Sequence, residues 1–116
     1  MKLRELASQV VVDPRKLTEY ALNPENERGC HKARVFKAAL GYTQDNYESL
    51  LEQIETQVLE AEAVVQRTDE YGRHVRVEVE IVGVADQRAV VRTGWLIAPD
   101  SDEARLITLY VRKPGT

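Results

Sequence analysis

Residues 74–82 read His-Val-Arg-Val-Glu-Val-Glu-Ile-Val, and this stretch decides the fold class. Apolar and polar side chains alternate with a period of two, which is the pattern of a strand with one buried face. Residues 88–97 and 104–112 show comparable alternation, and the short connections between the three segments favour antiparallel hairpins. Residues 63–68 just before them are compatible with either a fourth strand or a continued helix.

The N-terminal half of the chain shows helical signals instead. Asp13-Pro14 predicts a short helix that ends near Leu22, because Asn23-Pro24 follows and the residue before a proline avoids helical geometry. Residues 23–29 are then a loop. Residues 30–40 are helix-forming, and Gly41 follows them at the position of a C-terminal cap.

A further helix is predicted where Asp45 and Glu48 resemble a capping box. The apolar residues that follow have the spacing i, i+3, i+4, i+7, so one stripe of this helix, the longest in the chain, is expected to be buried. The stripe consists of Tyr47, Leu50, Leu51, Ile54, Val58 and Ala61.

Helices followed by antiparallel strands predict one α+β domain over residues 1–116, with the helices on one face of a three- to four-stranded sheet. The covered face is expected to carry the apolar set Val75, Val77, Val79, Val91, Trp95, Ile107 and Leu109. The opposite face is expected to display the polar set Arg76, Glu78, Arg88, Arg92, Thr108, Tyr110 and Arg112.

Charge is unevenly distributed along the 116 residues, whose net charge is −3. Residues 1–42 carry a net +3, residues 43–63 carry −6 with no Lys or Arg, and the remainder is balanced. A pI near 5.4 argues against strong non-specific DNA binding, which depends on a basic surface. With a single cysteine and no long apolar run, we expect a cytoplasmic protein without a disulfide, membrane span, metal site or cofactor.

Lys32 occupies an unusual position on the helix of residues 30–40. At about 100° per residue it falls inside the apolar arc, between Ala39 and Phe36. Either its stem packs on apolar surface while the ammonium reaches the edge, or Lys32 is a cation or base directed into a cleft. His31 lies at the edge of the same arc.

The arginines of the predicted sheet suggest a second candidate site. Arg76, Arg92 and Arg112 share one face with Thr108 and Tyr110, and guanidinium groups bind phosphate in a bidentate manner. Gly94 follows Arg92 within the strand, where glycine often permits a close approach. The alternative is that Glu78 and Glu80 neutralise these arginines in cross-strand pairs.

Several short motifs resemble a bacterial family of small domains of unknown function. They are Asn23-Pro24, Arg28-Gly29, Lys32-Ala33-Arg34-x-Phe36-x-x-x-Leu40-Gly41, Tyr71-Gly72, Arg92-Thr93-Gly94-Trp95 and Leu106-Ile107-Thr108-Leu109-Tyr110. The layout is also similar to small endoribonuclease toxins of the barnase, EndoU, colicin and RelE type.

The resemblance to these toxins implies particular roles for five residues. Lys32 or His31 would be a base or cation, Arg92 would hold the scissile phosphate of RNA, and Thr108 and Tyr110 would position it. Cleavage would use the 2′-hydroxyl of the RNA without a metal ion. This chain departs from the pattern because such toxins are usually basic and because no conventional histidine pair is evident.

A second class of function remains open from the charge pattern. The acidic segment 45–62 carries Glu48, Glu52 and Glu55, which form either a solvated helix face or a surface for a basic partner. In the second case the chain is a protein-interaction module, such as a regulator, immunity protein or accessory protein. A protein partner, such as a cognate antitoxin or a regulator, is compatible with either class.

Overall fold

The computed structural model describes residues 1–112 and confirms the α+β class. A five-stranded sheet is formed by β1 (Gln9–Val11), β2 (Ala63–Asp69), β3 (Gly72–Val82), β4 (Arg88–Ile97) and β5 (Glu103–Val111). The helices are a π-helix (Lys16–Ala21), α1 (Cys30–Leu40) and α2 (Tyr47–Gln57), together with 3-10 turns at Leu3–Glu5 and Val58–Glu60. Within residues 1–112, no helix is both long enough and apolar enough to cross a bilayer.

The sheet has more strands than the sequence predicts. Its order is β1-β5-β4-β3-β2, and all neighbours are antiparallel except β1, which runs parallel to β5. Residues 63–69 form a strand rather than a continued helix. The strand β1 was not predicted because its three residues are too few to show a period.

The helices cover one face of the sheet, as predicted. Buried side chains of α1 and α2, including Phe36, Leu40 and Ile54, pack with the apolar residues of β3, β4 and β5 in one core. Tyr42, between the two helices, is 1% exposed and donates a hydrogen bond of 2.6 Å to the carbonyl of Val82. This bond fixes the helix pair to the end of β3.

A bulge in β5 corrects the predicted side-chain faces of that strand. Gly94 pairs with Thr108 while Trp95 pairs with Leu106, so Ile107 is an extra residue. One inserted residue reverses the alternation, because side chains repeat every two residues along a strand. Leu106 is therefore in the core, and Ile107, predicted to be buried, is 40% exposed.

The helix starts differ in detail from the expectation. The capping box of Asp45 and Glu48 does not form, since α2 begins at Tyr47 with Asn46 as its N-cap residue. The Asn46 side chain instead bonds the loop before it, accepting from the Thr43 amide and donating to the Gly41 carbonyl. After Gln57 the helix tightens into the 3-10 turn, which leaves Ala61 outside it. With 11 residues, α2 equals α1 in length rather than exceeding it.

The first predicted helix is present but widened. Its closing bond runs from the Leu22 amide to the Leu17 carbonyl, which is the i to i+5 spacing of a π-helix. Gly41 ends α1 with a φ of 76°, which confirms it as the left-handed cap.

Candidate functional site

Two cross-strand rows bring the polar residues of the open sheet face together. In one row Glu78 of β3 lies opposite Arg92 of β4, which lies opposite Tyr110 of β5. In the next row Arg76 lies opposite Gly94, and Gly94 opposite Thr108. The bulge at Ile107 keeps Thr108 and Tyr110 on the same face as Arg92. Without that extra residue, the side chains before and after Ile107 could not both have their present orientation, with Leu106 in the core and Thr108 on the open face.

Lys32 joins this face from the first turn of α1. Its ammonium donates a hydrogen bond of 2.9 Å to the hydroxyl of Thr108 and another to the hydroxyl of Tyr20. It also lies 4.7 Å from the ring centre of Tyr20 and 5.6 Å from that of Tyr110. Within residues 1–112 no carboxylate lies within ion-pair distance of Lys32, so its charge is not neutralised there.

Arg92 lies on the other side of Tyr110 and is bound loosely. Its guanidinium donates to the Tyr110 hydroxyl at 3.3 Å, and its distance to the Glu78 carboxylate is 3.6 Å. Both are longer than the usual 2.7–2.9 Å of a charged hydrogen bond. The Nε of Arg92 is buried and has no partner among the described residues. The hydrogen bond to Tyr110 and the charge of Glu78 together raise the pKa of Arg92, although burial opposes them.

Tyr20, which the sequence did not identify as a site residue, completes the contacts of Lys32. Burial favours the neutral phenol, but the hydrogen bonds from Lys32 and Thr108 and the charge of Lys32 outweigh it, so the pKa of Tyr20 is lowered. A Cβ atom at Gly29 would collide with the Tyr20 carbonyl. The Arg28-Gly29 motif was thus the available signal, because only glycine permits this approach of the π-helix to α1.

Three cavities surround this cluster. One of about 220 Å³ lies over Gly94 and is lined by side chains that include His74, Arg76, Arg92, Thr108 and Tyr110. A second of about 310 Å³ is lined by His31, Lys32, Val35, Tyr110 and Val111. A third of about 650 Å³ is bordered by Lys16, Tyr20, Arg28 and Thr108, among others. Tyr110 therefore separates a cavity that contains Lys32 and His31 from one that contains Arg92 and Arg76.

Gly94 provides the floor of the cavity that contains Arg92. A Cβ atom at this position would lie 3.0 Å from Cγ2 of Thr108, closer than almost all real contacts. A larger residue would fill the space between Arg76 and Thr108. The glycine that the sequence singled out is therefore a close-approach position on the open face.

The predicted arginines differ in their partners. Arg76 and Arg92 line the same cavity, whereas Arg112 does not and pairs with Glu78 at 3.0 Å. Arg88 pairs with Glu80 at 2.9 Å. The sequence left neutralisation by glutamate open for Arg76, Arg92 and Arg112. It applies to Arg112, only weakly to Arg92, and not to Arg76, which has no carboxylate within ion-pair distance among residues 1–112.

The acidic residues proposed for partner binding lie elsewhere, on α2. Glu48, Glu52 and Glu55 are exposed. Within the described part of the chain, none of the three lies within ion-pair distance of a basic side chain. Because α2 packs on β3 from the covered side of the sheet, this surface is separate from the cavities of the open face.

The fold and the cluster together define a class of small α+β domain that carries cations on the open face of its sheet. The chain belongs to the family described as Domain of unknown function (DUF6883), whose model matches residues 2–113. This membership agrees with the resemblance found in the sequence.

A solved structure with a similar fold is a chain of a contact-dependent growth inhibition toxin–immunity protein complex from Klebsiella pneumoniae 342. The TM-score is 0.70, and the match covers 94% of this chain and 98% of that chain. At 19% sequence identity the likeness shows the fold. The comparison with curated proteins finds no match.

Proposed function

We propose that this chain is a toxin domain that cleaves RNA without a metal ion. The observation that carries the proposal is the pair of cations around Tyr110. Lys32 is bound by hydroxyl groups and aromatic rings, and Arg92 lies beside the ring with only long contacts. Cations held in this way remain available to an anionic substrate. The structural neighbour is a chain of a toxin–immunity protein complex, which supports a toxin or an immunity role without distinguishing them.

The cavity over Gly94 has the chemistry to hold one phosphodiester group. Arg92 and Arg76 would bind the non-bridging oxygens, and Thr108 and Tyr110 would orient the group by their hydroxyls. Such a local site does not require a basic protein, because two arginines and a lysine provide the charge where it is used. This reconciles a pI of 5.4 with an RNA substrate.

The proposed reaction is an internal transfer within the RNA. The 2′-oxygen forms a bond to the adjacent phosphorus, and the bond from phosphorus to the 5′-oxygen breaks. The products are a 2′,3′-cyclic phosphate and a 5′-hydroxyl end. Lys32, or His31 in the same cavity, would give a proton to the departing 5′-oxygen, and Arg92 would stabilise the charge that develops on phosphorus. A basic group must also accept the 2′-hydroxyl proton.

Cleavage of RNA by the purified chain tests this proposal. Wild type should release fragments with 2′,3′-cyclic phosphate ends, and a single 2′-deoxy substitution at the cleaved nucleotide should block the reaction. Arg92→Ala and Lys32→Ala should each lower the rate about 10²–10³-fold. Arg88→Ala is the matched control, because it removes an arginine of the same strand whose charge Glu80 already neutralises. Its rate should stay within about twofold of wild type.

Two outcomes would contradict the proposal. One is an intact wild-type protein that cleaves neither structured nor single-stranded RNA. The other is an equal loss of rate for Arg88→Ala and Arg92→Ala, since that would remove the distinction between a neutralised and an available guanidinium.

The exposed acidic surface of α2 favours a second candidate, a protein-interaction module of the immunity or regulator type. Three exposed glutamates without a nearby basic group in residues 1–112 would attract a basic partner and direct its approach. Changing Glu48, Glu52 and Glu55 to lysine should then abolish capture of a partner identified with wild type, while the circular dichroism spectrum is unchanged. The control changes the exposed Glu25, Glu27 and Glu70 to lysine. Equal capture by both variants would exclude this surface.

A further inference from the structure

The hairpin between β2 and β3 contains a histidine held by a carboxylate. The Nε2 of His74 lies 2.9 Å from Oδ2 of Asp69, and the other carboxylate oxygen, Oδ1, accepts the amide proton of Tyr71 at 2.9 Å. The Nε of Arg67 is 3.5 Å from Oδ2. Asp69 is thus fixed from two directions, and it fixes the imidazole in turn.

The ionisation of Asp69 determines which nitrogen of His74 is free. Burial raises the pKa of Asp69, but the hydrogen bonds from the Tyr71 amide and from His74 outweigh it and lower the pKa below its usual value. An ionised carboxylate only accepts hydrogen bonds. The proton of neutral His74 therefore lies on Nε2, and Nδ1 is left as the basic nitrogen.

The register of the sheet places His74 at the cavity that contains the arginines. His74 and Arg76 are two residues apart on β3, so they share the open face, and both line the cavity of about 220 Å³ with Arg92 and Thr108. His74 and Arg92 lie on neighbouring strands and are offset by four residue steps, which is about 13 Å along the strand direction and about 14 Å between their Cα positions. The space between them, over Gly94, is where a phosphodiester would lie.

We propose that His74 is the general base of this site and that Asp69 is the residue that positions it. The inference rests on the proposed ribonuclease function. The Nδ1 of His74 takes the proton of the 2′-hydroxyl as the 2′-oxygen attacks phosphorus, while the 5′-oxygen takes a proton from the Lys32 and His31 side of Tyr110. His74 then releases the proton it gained to water, and the acid on the Lys32 and His31 side regains a proton from water, so both groups are restored.

The placement of His74 differs from that of a purely structural histidine. A carboxylate partner and a fixed orientation would also suit a histidine that only ties the hairpin together. The imidazole of His74, however, is 25% exposed and borders a cavity with two arginines. His31, by comparison, lies in the cavity on the opposite side of Tyr110. Transfer from the 2′-oxygen to the 5′-oxygen requires a base and an acid on opposite sides of one phosphate, and the proposal gives these two roles to His74 and to the Lys32 and His31 side of Tyr110.

Chemical rescue of His74→Ala tests the inference. The variant should lower kcat about 10²–10⁴-fold with little change in RNA affinity, and free imidazole at millimolar concentration should restore part of the rate. Asp69→Asn should cause a smaller loss, because the imidazole is kept but its tautomer and orientation are no longer fixed. Arg92→Ala is the control, since imidazole cannot replace a guanidinium that binds phosphate.

The outcomes separate this inference from the proposed function. If wild type cleaves RNA and Arg92→Ala does not, but His74→Ala cleaves normally, His74 is not the base and the ribonuclease function stands. A slow His74→Ala that imidazole fails to accelerate would assign His74 a structural role and also overturn the inference. If wild type cleaves no RNA, both proposals fail together.

Discussion

The two faces of strand β4 differ in how completely their polar side chains are hydrogen-bonded. On the covered face, the indole N–H of Trp95 donates to the Thr93 hydroxyl at 2.7 Å, and Thr93 donates to the Val77 carbonyl at 2.7 Å. Both side chains are buried and every donor in this chain of bonds has a partner. On the open face, Arg92 has two long contacts and a buried Nε without a partner in the described residues.

This difference separates residues that hold the fold from residues that are available to a ligand. A buried donor without a partner costs about 1–3 kcal/mol, so a fold does not retain one on stability grounds alone. Thr93 shows that a buried polar side chain of β4 on the covered face finds a hydrogen-bond partner. Under the proposed function, the phosphate of the substrate would supply the acceptor that Arg92 lacks among residues 1–112.

The largest effect should follow from removing the anchor of the covered face. Trp95 is 1% exposed, and Trp95→Ala leaves a cavity among helix and sheet residues. We expect the free energy of unfolding to fall by about 3–5 kcal/mol, a large part of the total for a domain of this size. Urea unfolding followed by circular dichroism measures the change.

Leu96→Ala is the control from the opposite face of the same strand. Leu96 is only partly buried, so the free energy of unfolding should fall by less than about 1.5 kcal/mol. If both substitutions cost the same, the contrast between a packed face and an open face would be wrong.

Much of the fold could be predicted because its signals are local. The alternation in 74–82 and 88–97 and the glycine cap at Gly41 depend on neighbours within a few residues. The bulge at Ile107 could not be predicted in the same way, since it is defined by the register of β5 against β4. The parallel pairing of β1 likewise depends on a contact between the two ends of the chain.

Part of the candidate site could also be predicted from local sequence patterns. Lys32 and Arg92 were detectable because each conflicts with its local pattern, a cation on an apolar arc and an arginine beside a strand glycine. Tyr20 and His74 conflict with nothing locally. Their significance comes from tertiary contacts, with Lys32 in one case and with Asp69 and the cavity over Gly94 in the other.

A smaller effect, which sharpens the comparison on the open face, is expected for Tyr20→Phe. The ring that supports Lys32 stays, but the hydroxyl that accepts a hydrogen bond from its ammonium is lost, at a cost of about 1 kcal/mol. Because the pKa of Tyr20 is lowered from 10.0, its contribution to stability is full above pH 10 and is lost as the pH falls through the lowered value. The difference in unfolding free energy between wild type and variant should therefore grow as the pH rises from neutral to about 10, measured by urea unfolding at each pH.

Tyr71→Phe, which removes a phenol that is 65% exposed, is the matched control. A difference that stays flat with pH would show that Lys32 does not hold the Tyr20 phenolate.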